Sequence, residues 1–433
     1  MDLTMTTSSS LKGEVKIPGD KSIAHRAIIL NAIADGISRI DNFPLGGDCL
    51  NTIGAMRNLG VPIDVDLKKA RVIVYGQGLR GLKMPSHPID VGNSGTTGRL
   101  LIGLLSGQGF TSTITGDRYL VKRPMDRIVI PLTKMGASIH YEEGIGTLPV
   151  YIYPSDLNGI DYTMPIASAQ VKSAILLATL YAKSPTIIRG DRKSRNHTEL
   201  MLKNMGANII TSNDSIFLEP TDSLFARNVY VPCDISSASF FITGAMLVPN
   251  SSILIKDVGL NTTRSGILDV YKDMGADVSI ENTGFTSGEL KGDIIVSSKH
   301  PLRPTIIDKN LVPRLIDEIP IIALAATQAK GKTIIKDAHE LAVKESNRIQ
   351  STADVLLRLG ANISPTSDGM IIEGPTPLYG AAVDSMGDHR IAMMAAIAGL
   401  IAKGKTTIKN SQWIDISFPD FFEILGRLTN SHA

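Results

Sequence analysis

The chain is poor in cysteine. Cys49 and Cys233 are its only two, which excludes a disulfide framework and a cysteine-rich zinc site and leaves at most one disulfide. No sign of charge dominates. Lys and Arg number 44 against 42 Asp and Glu, a net charge of +2, so the bulk composition favours neither nucleic acid nor an anionic membrane as a partner. Long hydrophobic runs are also missing. Stretches such as 319–326 and 391–401 fall far short of the roughly 18–20 residues that span a bilayer. No secretory leader is read at 1–10, and there is no Walker A or Rossmann glycine fingerprint. No Pro/Gly/Ser-rich linker or low-complexity segment interrupts the chain. The expectation is a soluble protein of the reducing cytoplasm, with no membrane or nucleic-acid partner.

What is present is a repeat. With 433 residues, 43% of them hydrophobic and 20% charged, the chain can bury large cores and should form about two to three domains. One supersecondary unit recurs six times, roughly every 70 residues, longer than the solenoid repeats of about 20–50. Each copy opens with an extended segment and a turn of Pro, Gly, Asp, Asn or Ser. A helix of small and apolar residues follows, at about 22–34, 96–105, 168–182, 236–247, 321–328 and 390–402. A Thr- and Ile-rich strand comes next, then a second helix ending in Met-Gly-Ala or a variant. Those ends are Leu59-Gly60-Val61, Met135-Gly136-Ala137, Met205-Gly206-Ala207, Met274-Gly275-Ala276, Leu359-Gly360-Ala361 and a truncated Leu425-Gly426. The first helices are apolar on nearly every face, so they should be buried. The second, such as 126–134 and 199–204, are amphipathic and more exposed. The reading is an α/β fold of six βαβ-containing modules, with buried helices inside a ring of sheets.

Six units divide most simply three and three. Val231-Pro232-Cys233-Asp234 resembles Ile17-Pro18-Gly19-Asp20, and both read as crossings between lobes. Lobe one is then 21–231. Lobe two is 1–20 plus 232–433, and two strands form a hinge suited to a closing cleft.

The turns before the buried helices carry more than plain caps. Lys21, Ser22, His25 and Arg26 open the first helix, and Asn93, Ser94, Gly95 and Thr96 the second. Ser168 and Gln170 open the third. Asp317 and Glu318 precede the fifth, and Asp388, His389 and Arg390 the sixth. Arg123 and the run Lys344-Glu345-Ser346-Asn347-Arg348 lie in loops. Helix N-termini present free N–H groups and a positive dipole end, so several aimed at one space make an anion site. Taken singly, each residue has a plainer reading. Ser22 and Thr96 read equally as N-caps, and Lys21 and Arg26 as surface charges. Lys344, Glu345 and Arg348 read as an exposed, salt-bridged helix start. Arg390 lies where the helix dipole disfavours a cation, a misfit that favours a bound anion. His25, His197 and His389 read as hydrogen-bonding residues, since no spacing suits a metal. The fourth turn, Pro232-Cys233-Asp234, lends no group to the site in this reading.

Taken together and in order, the motifs are specific. Pro18-Gly19-Asp20-Lys21-Ser22 with Arg26, Gly92-Asn93-Ser94-Gly95-Thr96, Arg123-Pro124-Met125, Ser168-Ala169-Gln170, Lys344-Glu345 with Arg348, and Asp388-His389-Arg390 resemble the 5-enolpyruvylshikimate-3-phosphate synthase family. Arg195-Asn196-His197-Thr198-Glu199 and Ser417-Phe418-Pro419 resemble its class II bacterial branch. The resemblance implies a two-lobed inside-out α/β barrel, three repeats per lobe, closing on substrate. It implies addition–elimination transfer of the enolpyruvyl group of phosphoenolpyruvate to the 5-hydroxyl of shikimate 3-phosphate, in chorismate and aromatic amino acid biosynthesis. The enzyme would be a cytoplasmic monomer without cofactor or metal, of the family that glyphosate targets.

The resemblance also implies roles. Lys21, Ser22, Arg26, Ser168, Gln170, Arg195, Asp317 and Lys344 would bind shikimate 3-phosphate. Lys21, Asn93, Gly95, Arg123, Gln170, Arg348 and Arg390 would bind phosphoenolpyruvate. Asp317, Glu345 and Lys21 would be catalytic. Three residues depart from the family pattern: Ala169 stands where many relatives have Ser, Glu340 where others have Asn, and Ile416 where some have Lys. Two rivals remain open. The sister transferase acting on UDP-N-acetylglucosamine carries a loop Cys that 117–123 lacks and reads Lys-Asn where this chain has Lys21-Ser22. A non-enzymatic repeat scaffold would give no reason for acids and arginines to converge.

Overall fold

A computed structural model of the chain describes residues 2–142, 144, 146–190, 194–212 and 215–429. Among these residues the strands form six small sheets, five of four strands and one of three. The four-stranded sheets share one plan. In one, Ile89–Asp90 runs parallel to Ser112–Thr115, which is antiparallel to Val150–Tyr153, itself antiparallel to Ser138–Tyr141. The order recurs in Asp161–Thr163, Thr186–Arg189, Ser215–Leu218 and Ile209–Thr211. It recurs again in Ile306–Ile307, Gly331–Ile335, Met370–Gly374 and Asn362–Pro365. The parallel pair is joined each time through a buried helix, as parallel strands require a crossover.

The first and fourth repeats take their parallel edge strand from elsewhere. Val229–Tyr230 lies beside Asp35–Asp41, and Lys12–Val15 beside Ser252–Gly259. The segments leading into the first and fourth buried helices are thus exchanged. The chain has two compact units: Gly19–Val231 with Phe285–Glu289, and Met1–Pro18 with Pro232–Gly284 and Leu290–Ala433. In the three-stranded sheet, Ala382–Asp384 runs parallel to Lys405–Lys409, and Leu3–Thr6 pairs antiparallel on the other side. The N-terminal segment supplies the antiparallel strand that the truncated sixth repeat lacks.

The first helices of the repeats are Lys21–Ala32, Gly95–Leu105, Ala169–Thr179, Ile235–Leu247, Ile319–Thr327 and His389–Gly399. They are buried along most of their length, and Ile319–Thr327 and His389–Gly399 throughout, as helices with no polar face must be. Five begin on a side-chain cap. Asp20 accepts from the Ile23 amide, Ser94 from Thr97, Ser168 from Val171, Asp234 from Ser236 and Asp388 from Arg390. The caps at the first two are therefore Asp20 and Ser94, and the N-cap readings of Ser22 and Thr96 are corrected. The helix Ile319–Thr327 has no side-chain cap bond and carries proline near its start, where the missing N–H costs little.

The Met-Gly-Ala signature has a backbone cause. Gly60, Gly136, Gly206, Gly275 and Gly360 all have φ between +78° and +100°. That is the left-handed residue after a helix end, where glycine alone escapes a Cβ clash. At Met135-Gly136-Ala137 the Ala137 amide reaches the Leu132 carbonyl at 3.0 Å and Gly136 reaches Thr133 at 2.9 Å, a Schellman closure. The sixth copy differs: the helix Phe421–Thr429 runs through Gly426, so Leu425-Gly426 is not a helix end.

Each unit has its own hydrophobic core. Phe418 belongs to one of them. It is fully buried, with ring contacts to Phe241 and Phe421 at 5.9 and 5.7 Å, so in Ser417-Phe418-Pro419 the Phe is a packing residue. The helices Gly95–Leu105 and Ala169–Thr179 meet at Gly103, where a Cβ would stand 2.3 Å from the Ala174 carbonyl oxygen. Gly103→Ala is expected to lower stability by about 1–3 kcal/mol, the usual cost of overpacking. Urea denaturation measures it, and an unchanged midpoint would show that the helices have room to part.

Candidate active site

In the unit Gly19–Val231 the first helix begins with Lys21 and Ser22 and places Arg26 one turn after Ser22. Lys21 Nζ lies 3.3 Å from Asp48. Arg26 is buried, and each arm has a protein acceptor. Nε donates to Thr198 Oγ1 at 2.7 Å, one terminal nitrogen to the Ser22 carbonyl at 2.9 Å, and the other to Ser173 Oγ at 2.9 Å. Burial, then the neighbouring Arg195, lower this guanidinium to about 10, so it stays cationic at neutral pH. Arg195 donates to Ser22 Oγ at 3.1 Å, while Arg26 bonds the carbonyl of the same residue. Ser168 accepts from the Val171 amide at 3.5 Å as a helix cap.

The turn around Gly95 is built from polar pairs. Arg123 donates to Asn93 Oδ1 at 2.7 Å, and the Asn93 amide donates to Asp117 at 2.8 Å. Gln170 accepts from Arg99 at 2.6 Å and donates to Thr96 Oγ1 at 3.0 Å. A Cβ at Gly95 would lie 3.4 Å from an Arg123 terminal nitrogen and from Leu120, so the glycine leaves space beside that cation. His25 ties this turn to the first helix. Its Nδ1 lies 2.6 Å from Thr52 Oγ1, which lies 2.6 Å from Thr97 Oγ1, which meets the hydroxyl of the cap Ser94 at 2.7 Å. Burial, aided by Lys21 and Arg26, lowers the imidazole to about 3.

In the other unit the acids gather around Arg348, which is 1% exposed. The start of a salt-bridged helix is correct for Arg348–Arg358, but its exposure is not. Arg348 Nε lies 2.8 Å from Asp388, and its terminal nitrogens lie 3.2 Å from Asp317 and 2.5 Å from Glu345. Burial acts to lower the Arg348 pKa, but Asp388, Glu345 and Asp317 outweigh it and raise it above the usual arginine value. Burial likewise opposes ionisation of Asp388, yet Arg348 holds its carboxyl below the usual range. Lys344 Nζ lies 3.3 Å from Asp317. Arg390 donates to the Asp317 carbonyl at 3.2 Å and lies 3.8 Å from Glu318.

Several partners escaped the sequence reading. Lys172 and Glu199, both buried, pair at 2.8 Å, and His197 pairs with Glu289 at 2.7 Å. A lysine inside the apolar helix Ala169–Thr179 was the available signal, because a buried ammonium requires a partner. Asp388 emerges as both cap and clamp. The fourth repeat is not idle: Asp234, Ser236 and Arg264 form a buried network with Glu318. Among the described residues, no group of three or more His, Cys, Asp or Glu is placed to hold a metal ion, and no helix is long and apolar enough to cross a membrane.

Paired acids thus meet buried arginines at helix starts of a six-repeat α/β fold. The family model for EPSP synthase (3-phosphoshikimate 1-carboxyvinyltransferase) matches residues 5–425. The 3-phosphoshikimate 1-carboxyvinyltransferase of Thermoanaerobacter sp. (strain X514) is 50% identical over 428 residues, covering 99% of this chain and all of the relative. That of Oceanobacillus iheyensis is 49% identical over 414 residues, 96% of each. The solved EPSP synthase from Acinetobacter baumannii superposes with a TM-score of 0.88 at 42% identity, covering 99% of this chain and 98% of that one. The chain belongs to the EPSP synthase family.

The buried His25 makes a pH prediction. Its folded pKa of about 3 lies below the ordinary 6.5, so the unfolded chain binds the proton more readily. Stability therefore falls as pH drops below 6.5 and does not recover above about 3. At about 1.4 kcal/mol per pH unit, His25 removes about 2 kcal/mol between pH 6.5 and about 5. His25→Gln should lose less stability over that range in urea titrations. Equal losses in the two proteins would contradict the assignment.

Proposed function

We propose that the chain carries out its family's reaction with the following residue roles. The enolpyruvyl group of phosphoenolpyruvate moves to the 5-hydroxyl of shikimate 3-phosphate. The hydroxyl oxygen bonds to carbon 2 of phosphoenolpyruvate as carbon 3 gains a proton. The tetrahedral intermediate then loses that proton, its carbon–oxygen bond to phosphate breaks, and phosphate leaves. Asp317 accepts the hydroxyl proton. Glu345 delivers and removes the carbon-bound proton, and Lys21 assists. General acid–base help of this kind contributes roughly 100- to 10,000-fold per group.

The observation that carries this reading is the Arg348 nest. Both proposed acids touch one buried guanidinium, at 3.2 and 2.5 Å. Asp388, wholly buried, secures the Nε edge, whereas the Glu345 side chain is 27% exposed. A substrate carboxylate arriving at Arg348 would compete most easily with Glu345, freeing that acid for proton transfer. Arg forks bind carboxylate and phosphate bidentately, which suits Arg348, Arg390 and Arg123 to phosphoenolpyruvate, with Asn93, Gly95 and Gln170 beside it. Ser22, Arg26, Ser168, Gln170 and Arg195 suit the 3-phosphate and ring of the other substrate, with Lys21, Lys344 and Asp317. Arg195 offsets the hydroxyl that Ala169 lacks.

Phosphate release tests the reaction. It is expected with phosphoenolpyruvate plus shikimate 3-phosphate and absent with UDP-N-acetylglucosamine as acceptor, and the reverse would establish the sister activity. Asp317→Asn should cut turnover by about 100-fold or more, and full turnover with intact binding would remove the base assignment.

The reading assigns roles in both units to one reaction, so we also propose that the lobes close on substrate as a monomer. Small-angle scattering should show one chain whose radius of gyration shrinks with shikimate 3-phosphate and an unreactive phosphoenolpyruvate analogue. An unchanged profile would count against closure.

A further inference from the structure

We propose that Glu318, held by Arg264 and Ser236, is a positioning residue for the reaction, fixing the turn that carries Asp317 and the side chain of Arg390. The proposal rests on the reading of Asp317 and Arg390 given above. Glu318 is wholly buried and Arg264 nearly so. One terminal nitrogen of Arg264 donates to both Glu318 oxygens, at 2.9 and 3.1 Å. The Ser236 hydroxyl donates to Glu318 and accepts from the other terminal nitrogen of Arg264. That nitrogen also lies 3.6 Å from Asp234, the cap of the fourth buried helix.

The local backbone explains why this pair bears on the site. Asp317 and Glu318 lie on the 3₁₀ turn Ile316–Glu318, where successive side chains point about 120° apart. Asp317 thus faces Lys344 and Arg348 while Glu318 faces Arg264 and Ser236. The following helix lacks a side-chain cap bond, and the side chains of Asp317 and Glu318 are left to pair with neighbouring cations. Arg390 completes the arrangement, 3.8 Å from Glu318 and bonded to the Asp317 carbonyl. Asp317 is pinned through its own carbonyl on one side and through its neighbour on the other. A buried carboxylate is costly unless paired, and apolar residues would pack this position without that cost. Its presence is accounted for by the placement of Asp317 and Arg390.

The test separates placement from stability in the full chain. Glu318→Gln, Arg264→Met and the double substitution Glu318→Met with Arg264→Met are compared by thermal unfolding and steady-state kinetics, with Asp317→Asn as control. Each single change should lower both the melting temperature and kcat. The double change removes both charges together, so its melting temperature should return towards the parent. Its kcat should stay about 10- to 100-fold down, the scale of a 1 Å misplacement. Recovery of both quantities would reduce the pair to scaffold and overturn the proposal. Parental kcat in Glu318→Gln, measured well below its melting temperature, would overturn it whatever the double variant does. Full turnover in Asp317→Asn would instead place the fault in the reading of Asp317.

Discussion

The acidic cluster ahead of the fifth and sixth buried helices depends on one buried cation. A guanidinium as enclosed as Arg348 persists only if its charge is matched nearby. The matching carboxylates come from three places: the turn before the fifth buried helix, the loop one turn upstream, and the cap of the sixth buried helix. One electrostatic requirement thus orders three chain segments. It also keeps Asp388 ionised, so that Asp388 can cap the helix on which Arg390 stands. Two of the groups that match the buried charge, Asp317 and Glu345, are those proposed to move protons, and Asp388 is a cap.

The other unit repeats the device with different residues. Arg26 and Lys172 are cations on buried first helices, and their partners Thr198 and Glu199 lie in the first turn of one second helix. In both units a cation on one helix is answered from the start of a neighbouring one. Helix starts are where unpaired N–H groups and caps already concentrate polar atoms. A fold with many buried helix starts therefore offers many places to satisfy a buried charge. The exception among the caps is instructive. Where Ile319–Thr327 begins near a proline instead of on a side-chain cap, the acids just before it are released from capping. They turn instead to Lys344, Arg348 and Arg264.

Much of this was legible along the chain, for local reasons. The glycines at 60, 136, 206, 275 and 360 mark helix ends because the left-handed residue there tolerates little else. The buried helices announce themselves by lacking a polar face. The turn motifs are legible because each is contiguous. Leu425-Gly426 misled because the same dipeptide also fits inside a helix, and Ser22 and Thr96 because the cap lay two residues earlier in each case. Phe418 was read within a family motif, although its ring belongs to an aromatic cluster with Phe241 and Phe421.

The sequence by itself determined the six-fold repeat, the class of fold and the family. Each of these is written in residues close together or recurring at a fixed interval. The tertiary structure alone decided the pairings. Arg264 meets Glu318 across 54 residues, and Arg26 meets Thr198 across 172. No spacing rule encodes such a meeting, because it depends on which helix starts the folded sheets bring side by side. The sequence reads the segments around Pro18 and Pro232 as crossings between lobes, and the packing decides which strand each lies beside, Lys12–Val15 next to Ser252–Gly259 and Val229–Tyr230 next to Asp35–Asp41.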